Sequence, residues 1–364
     1  MKRGTIFVLL FILIAGGIVG ASLFLQNQPP LEITVAVDPL AEEWVRQAAD
    51  AFNQSEALIN NTRRVRVVIS ETVDDVSVWR QGSTINWTTE NHPDAWIPSS
   101  SLSLNYTTLP FQVVEASIAQ TPVIFGGYAS RVETLTGGAA LTWDDIFRAA
   151  ETQSWEALGG EASWRFVNLA FTLPDRTISG LAGIYSAAAA FSDDPTLDGG
   201  DVRGEFQITF AEVIDSVPNF NSIGDDVAAF VARGPATADI GIGPESQWLM
   251  NLNALTRNEP VRFAYPEYPF VFDFPVAIWN GPETTAEERA AVDAFTDWLL
   301  RTEEQRRAAA FGLRSISGAP EGQAALFTNA QQYGIDPTPL QGDRIQAPTL
   351  NDTRGLLTWF GSVR

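Results

Sequence analysis

The sequence predicts an α/β protein in which one strand–helix theme is stated twice, and three observations predict it. Short apolar, β-branched runs such as residues 33–37 and 65–69 are too brief for helices and are bounded by turn residues. Segments such as Leu40, Trp44, Ala48 and Phe52 carry apolar residues at helical spacing. Strand ends run repeatedly into turns rich in Ser, Thr and Gly, and such turns are where ligands sit in open α/β sheets.

Taken in order, Ile33, Val35 and Val37 alternate with polar or small residues and predict the first strand. Asp38-Pro39 starts a helix, with Asp as N-cap and Pro at the first helical position. Residues 65–69 form the second strand. Asp94-Ala95-Trp96-Ile97 forms the third, ended by Pro98 before Ser99-Ser100-Ser101. Short apolar strands of this kind predict a covered, largely parallel sheet.

Thr121-Pro122-Val123-Ile124-Phe125-Gly126-Gly127 is a further strand closed by two glycines, and Thr142 with Asp145 marks a helix start. Residues 166–171 read as a strand, then a turn through Thr177-Ile178-Ser179-Gly180 leads into a helix with Leu181, Ile184, Tyr185, Ala188 and Phe191 on one face. Residues 238–243 repeat strand to turn, and Pro244-Glu245-Ser246 opens another helix. Residues 270–278 predict a strand crossing back. Thr285 with Glu288, and Thr302 with Gln305, predict two capping boxes, the second helix ending at Phe311-Gly312 with glycine as its cap. The last thirty residues are rich in Pro, Gln and Asn, with an apolar stretch at 356–360.

Composition bounds the function. At 364 residues, 45% hydrophobic and 18% charged, the chain is globular and long enough for two cored domains. Its net charge is -21 and Lys2 is its only lysine, so no basic stripe exists for nucleic acid. With no cysteine, disulfides, thiolate metal sites, cysteine nucleophiles and a lipidated cysteine are excluded. His92 is the only histidine, which excludes a multi-histidine metal site. No Gly-x-Ser-x-Gly elbow, Ser-x-x-Lys, His-Glu-x-x-His or phosphate loop is present. Asp74-Asp75, Asp144-Asp145 and Asp193-Asp194 fall in turns or first helical turns, where carboxylates belong anyway, and no motif places an acid pair for glycoside hydrolysis. A binding protein without metal or cofactor is expected, not an enzyme.

Met1-Lys2-Arg3 is a short basic start, and residues 5–25 are almost wholly apolar, near the ~20 residues that span a bilayer. Residues 1–30 therefore read as a signal anchor and linker, single-pass, with the body outside the membrane. Cleavage near Val19-Gly20-Ala21 is the alternative, giving a secreted body. Either way the body is exported.

The ordered set of motifs resembles the bacterial extracellular solute-binding proteins, the two-lobed receptors of ABC importers with doubly wound, type II periplasmic-binding topology. The set comprises the 33–37 strand, Asp94 through Ser101, Thr121-Pro122-Val123-Ile124, Leu141-Thr142-Trp143-Asp144-Asp145, and Ser179-Gly180. It continues with Tyr265-Pro266 and with Glu304-Gln305 through Phe311-Gly312-Leu313-Arg314. The chain is most similar to a subgroup often fused to a von Willebrand factor A domain, whose Asp-x-Ser-x-Ser signature it lacks.

The resemblance implies two lobes, 31–121 plus 271–334 and 122–270, with hinge crossings at 121–125 and 272–278. A C-terminal extension, 335–364, is expected to pack on the first lobe. A small-molecule solute is the implied ligand. The implied partner is an ABC permease or another envelope protein, and an envelope scaffold on the same fold is the alternative function.

Four loops are expected to face the cleft: Asp38, Ser99-Ser100-Ser101, Thr177 through Gly180, and 243–246. The candidate ligand contacts are Asp38, Ser99, Ser100, Ser101, Thr177, Ser179, Gly180 and Glu245. Helix N-termini and hydroxyls suit an anionic group, whereas the acidic surface repels one, so cations and neutral sugars stay open. For Asp38 and the serines, helix capping is the competing role. Arg176, Tyr128, Tyr185 and Trp248 are weighed as further lining, and His92 as a loop residue.

Overall fold

The chain crosses twice between two sheets, and those crossings organise everything else. The computed structural model of the chain describes residues 29–59, 63–70, 73, 75–80, 87–316, 324–338, 340 and 343–364. The apolar anchor assigned from sequence lies outside the described residues. Among the described residues no helix is long and apolar enough to cross a membrane.

The first sheet has the order β2-β3-β1-β4-β11-β5. Its strands are β1 (Leu31–Val37), β2 (Leu58–Ile59), β3 (Arg63–Ile69), β4 (Ala95–Ile97), β5 (Phe111–Glu115) and β11 (Val276–Trp279). β1 runs parallel to β3 and β4, while the returning β11 inserts antiparallel between β4 and β5. Helix α1 (Pro39–Gln54) starts directly after β1, capped by Asp38 with Pro at the first turn, and buries Trp44, Val45, Ala48 and Phe52. Two short helices, α2 (Asp75–Trp79) and α3 (Ser101–Tyr106), flank β4.

The second sheet has the order β10-β6-β8-β7, with β9 also on β6. Its strands are β6 (Thr121–Tyr128), β7 (Leu169–Ala170), β8 (Ile240–Pro244), β9 (Val261–Ala264) and β10 (Val271–Phe272). Here the parallel expectation needs correction: β6 is antiparallel to β8, β9 and β10, and among the described strands of this sheet only β7–β8 is a parallel pair. The reason is direction of entry. β6 comes in from the crossing, and β8 runs back toward it, so Pro244 pairs with Val123. A helix that follows β8 must therefore start beside the crossing. Around this sheet lie α4 (Ala129–Thr136), α5 (Trp143–Thr152), α6 (Ile178–Ser192), α7 (Glu205–Asp215), α8 (Val227–Val231) and α9 (Glu245–Leu255).

The chain passes from sheet to sheet between β5 and β6 and returns between β10 and β11. Residues 121–125, expected to form a crossing, are already ladder residues of β6. The two passes touch where Ile118 N–H donates to Phe274 O at 3.1 Å.

After β11 come α10 (Ala286–Leu299), α11 (Thr302–Ala310), α12 (Ala325–Ala330) and α13 (Leu350–Val363). The boxes at Thr142/Asp145 and Thr285/Glu288 form as the spacing predicts. The one at Thr302/Gln305 does not: Arg301 is the N-cap, and the buried Gln305 amide donates to Ile118 O at 2.8 Å and Leu299 O at 2.9 Å. Fastening the crossing satisfies that amide better than an exposed helix end would. At the end of α11, Gly312 takes φ +74, and Leu313 N–H returns to Ala308 O as in a Schellman turn.

The C-terminal extension also differs from expectation. Its α13 packs on both units rather than on the first alone. Phe360 meets Phe171 and Phe220 with centroids 6.4 and 5.5 Å away, and Asp352 pairs with Arg203, all beside the second sheet. Toward the first, Arg354 reaches Trp79 O at 3.2 Å. Between them the Thr353 hydroxyl sits 3.0 Å from Tyr106 OH and 2.6 Å from Tyr185 OH. An apolar stripe at 356–360 needs a complementary face, and the aromatic one is on the second unit.

Candidate functional site

One cavity of about 420 Å³ lies where helices from both units begin. Its walls carry Asp38, Leu40, Glu43 and Trp44 from α1 and the turn before it, and Thr177, Ile178 and Ser179 from the start of α6. Asp225 and Asp226 come from the turn into α8, Ser246, Gln247 and Met250 from α9, and Phe311 from the end of α11.

Local chemistry fixes each of these starts. Asp38 N–H donates to Ile97 O at 2.9 Å, joining the ends of β1 and β4, and its carboxylate accepts from Leu40 N–H at 2.9 Å. Thr177 caps α6 by accepting from Gly180 N–H at 3.3 Å, with its hydroxyl 2.6 Å from that of Thr172. Asp226 caps α8 by accepting from Ala229 N–H at 2.9 Å, and its other oxygen takes Asn251 Nδ2 at 2.9 Å. Burial pushes the Asp226 carboxyl above its ordinary range. Ser246 N–H donates to the Thr121 hydroxyl at 3.0 Å, which holds the start of α9 against the start of β6.

Two features of the lining matter chemically. Among the described residues that line the cavity, Asp38, Glu43, Asp225 and Asp226 are acidic and none is basic. Ser246 is only 4% exposed, yet its hydroxyl has no hydrogen-bond partner among the described residues. A buried hydroxyl left unpaired is costly, of the order of 1–3 kcal/mol, unless something fills the space beside it.

Asp38, Thr177 and Ser179 are thus brought together. The other sequence candidates are not, and each has a physical reason. Ser99 is fully buried, and its N–H and hydroxyl both donate to Asp75 Oδ2, at 3.1 and 2.7 Å. Ser103 donates to the same oxygen at 2.6 Å, so this carboxylate gathers the turn inward. Ser100 caps α3, and Ser101 N–H donates to Asp273 Oδ1 at 2.8 Å. Gly180 serves packing: a Cβ there would stand 2.2 Å from Thr172 O, so only glycine lets α6 start this close to the preceding turn. Glu245 is fully buried and faces away from the cavity, held by Arg314 Nε at 2.6 Å and Nη2 at 2.8 Å and by the Tyr265 hydroxyl. Burial by itself would loosen the Arg314 proton, but the pairing with Glu245 and Tyr265 outweighs it and holds the guanidinium even more firmly protonated than usual.

Arg176 is exposed and does not line the cavity, and Tyr128, Tyr185 and Trp248 are core. His92 is half-buried, stacked on Trp279 at 4.2 Å with Glu283 at 3.3 Å.

The residues missed by sequence reasoning are Leu40, Glu43, Trp44, Asp225, Asp226, Gln247, Met250 and Phe311, while Ser246 lies in the expected 243–246 loop but was not among the candidate contacts. Asp226 carried a signal, an acid directly before the apolar run Val227–Val231. Ser246 is one residue from a chosen position, and the helical turn aims its neighbour Glu245 elsewhere.

The family model of the bacterial extracellular solute-binding proteins matches residues 33–314. Among solved structures, a cycloalternan-bound ABC substrate-binding protein from Listeria monocytogenes is 12% identical, with TM-score 0.55 over 92% of this chain and 95% of that one. A stachyose-bound sugar transporter protein from Bacillus licheniformis is 11% identical, with TM-score 0.55 over 92% and 96%. The cyclic α-maltosyl-1,6-maltose binding protein of Arthrobacter globiformis is 13% identical, with TM-score 0.53 over 92% and 95%. At such identities the likeness is one of fold. No curated protein sequence matches the chain. The family match takes in every strand from β1 to β11 but the first two residues of β1, and by it the chain belongs to the bacterial extracellular solute-binding proteins.

Proposed function

We propose that this solute-binding protein captures a small molecule in the cavity between its two units by hinge closure, and delivers it to an ABC-type permease. The observation that carries the reading is the cavity itself, where α1 of one unit meets α6 and α9 of the other beside two chain crossings. Closing two lobes about such crossings buries a ligand on both sides and needs no chemistry from the protein. The lobes would be 31–121 with 271–334, and 122–270. Asp38, Thr177, Ser179 and Ser246 are assigned as ligand contacts. Residues 5–25 act as an uncleaved anchor that keeps the exported body at the membrane.

A second reading, an envelope scaffold on the same fold, draws on α13, which clasps both units and suits a fixed shape. The two part in one measurement. The full chain in detergent is screened by thermal shift against oxyanions, amino acids, polyamines, sugars and metal ions. A receptor gains about 2.7 kcal/mol at a roughly hundredfold ligand excess over Kd. The gain should saturate with one class and vanish in Ser179→Ala with Ser246→Ala. A folded protein that answers to no class favours the scaffold.

A further inference from the structure

We infer that the solute is an extended organic cation, with charged nitrogens separated by apolar carbon. The inference rests on the receptor reading and names the class that this cavity would select.

Acids stand on both of its walls: Asp38 and Glu43 on the unit of the first sheet, Asp225 and Asp226 on that of the second. With no basic residue among the described ones that line the space, lobe closure brings like charges toward one another inside a chain of net charge -21. A ligand drives closure only by preferring the closed state. A cation reaching both walls removes that repulsion, a neutral sugar leaves it in place, and an oxyanion adds to it.

The helix starts do not reverse this preference. Those of α1, α6 and α8 already spend N–H groups on Asp38, Thr177 and Asp226. Between the acids the lining is apolar, with Leu40, Trp44, Met250 and Phe311, which suits carbon and aromatic–cation contact. Among the described residues no three acidic or histidine side chains converge closely enough to hold a metal ion, so a compact cation is a poor match and an elongated one a good match. The buried, unpartnered Ser246 hydroxyl supplies an acceptor for an ammonium N–H.

The test is calorimetric titration of the full chain with spermidine, Mg²⁺, maltose and sulfate, each at two salt concentrations. Spermidine should bind saturably and more weakly at high salt. Glu43→Gln with Asp225→Asn, both at exposed positions and so harmless to folding, should weaken it by about tenfold or more and flatten the salt dependence. Spermidine binding untouched by that double variant is adsorption to an acidic surface, and overturns the inference. Maltose or sulfate binding that Ser179→Ala with Ser246→Ala abolishes, without spermidine binding, also overturns it while leaving the receptor reading intact. Binding by none of the four probes defeats the cation inference, and the wider thermal-shift panel then decides the receptor reading separately.

Discussion

Two turns of this molecule look alike in sequence and do different work. Ser99-Ser100-Ser101 follows β4, Thr177-Ile178-Ser179 opens α6, and both set hydroxyls before a helix. In the first, every polar group on view is drawn inward: Asp75 takes Ser99, and Asp273 takes the Ser101 N–H. In the second, Thr177 caps its helix, and it and Ser179 face open volume. What separates them is an acid from elsewhere in the chain, 24 residues away for Ser99 and 172 for Ser101. A hydroxyl-rich turn is a site only where it still borders open volume, as the one at Thr177 does although that hydroxyl also caps its helix. The same contrast recurs within one helical turn, where Glu245 is clamped by Arg314 and Ser246 is left without a partner.

The sharpest way to break this distinction is Glu245→Ala. It strands a buried guanidinium and should cost about 3–5 kcal/mol in urea unfolding, because an uncompensated buried charge is what breaking such a pair leaves. A cost below about 1 kcal/mol, the level of an exposed pair, would mean that Glu245 is not the anchored member.

The next test uses pH. Burial pushes the Asp75 carboxyl from 3.8 up to about 6 against the hydrogen bonds from Ser99 and Ser103. A carboxyl that ionises later in the fold than in the unfolded chain favours folding while protonated. Its contribution is complete below about pH 4 and is lost as pH rises through about 6, for roughly 3 kcal/mol in all. Unfolding curves between those limits should decline less in Asp75→Asn than in the parent chain, since other buried carboxyls such as Asp226 are raised in both. Parallel curves would remove Asp75 as the organiser of the first turn.

The smallest expected effect is the most telling for the cavity. Ser246→Ala should leave stability unchanged or raise it by up to about 1 kcal/mol, since the buried hydroxyl it removes has no partner among the described residues and the Ser246 N–H keeps its bond to Thr121. A large loss would show that this hydroxyl serves the fold after all, and would move Ser246 to the Glu245 side of the comparison.

Legibility in the sequence followed range. Asp38-Pro39, Thr142/Asp145 and Thr285/Glu288 were readable because each motif is satisfied within one helical turn. Gln305 was misread because its partner Ile118 lies 187 residues away, and a capping pattern cannot announce that. Strand existence was readable from apolar runs, but the antiparallel pairing of β6 was not, since it depends on which side of the sheet the chain enters. In the cavity, Asp38, Thr177 and Ser179 were readable as helix starts after strands or turns. Glu43, Met250 and Phe311 join them only through the packing of helices whose sequences say nothing about one another.

The last helix gives the molecule a third fastening. Thr353 bridges Tyr106 of one unit and Tyr185 of the other, beside the two strand crossings. Two bodies swinging on two strands sample many open poses, and capture must quench that freedom. A third point of attachment removes much of it before any solute arrives. Residence time would then be governed by how often α13 lets the units part, so a receptor of modest contact strength would hold its cargo long enough for a rare encounter with a transporter.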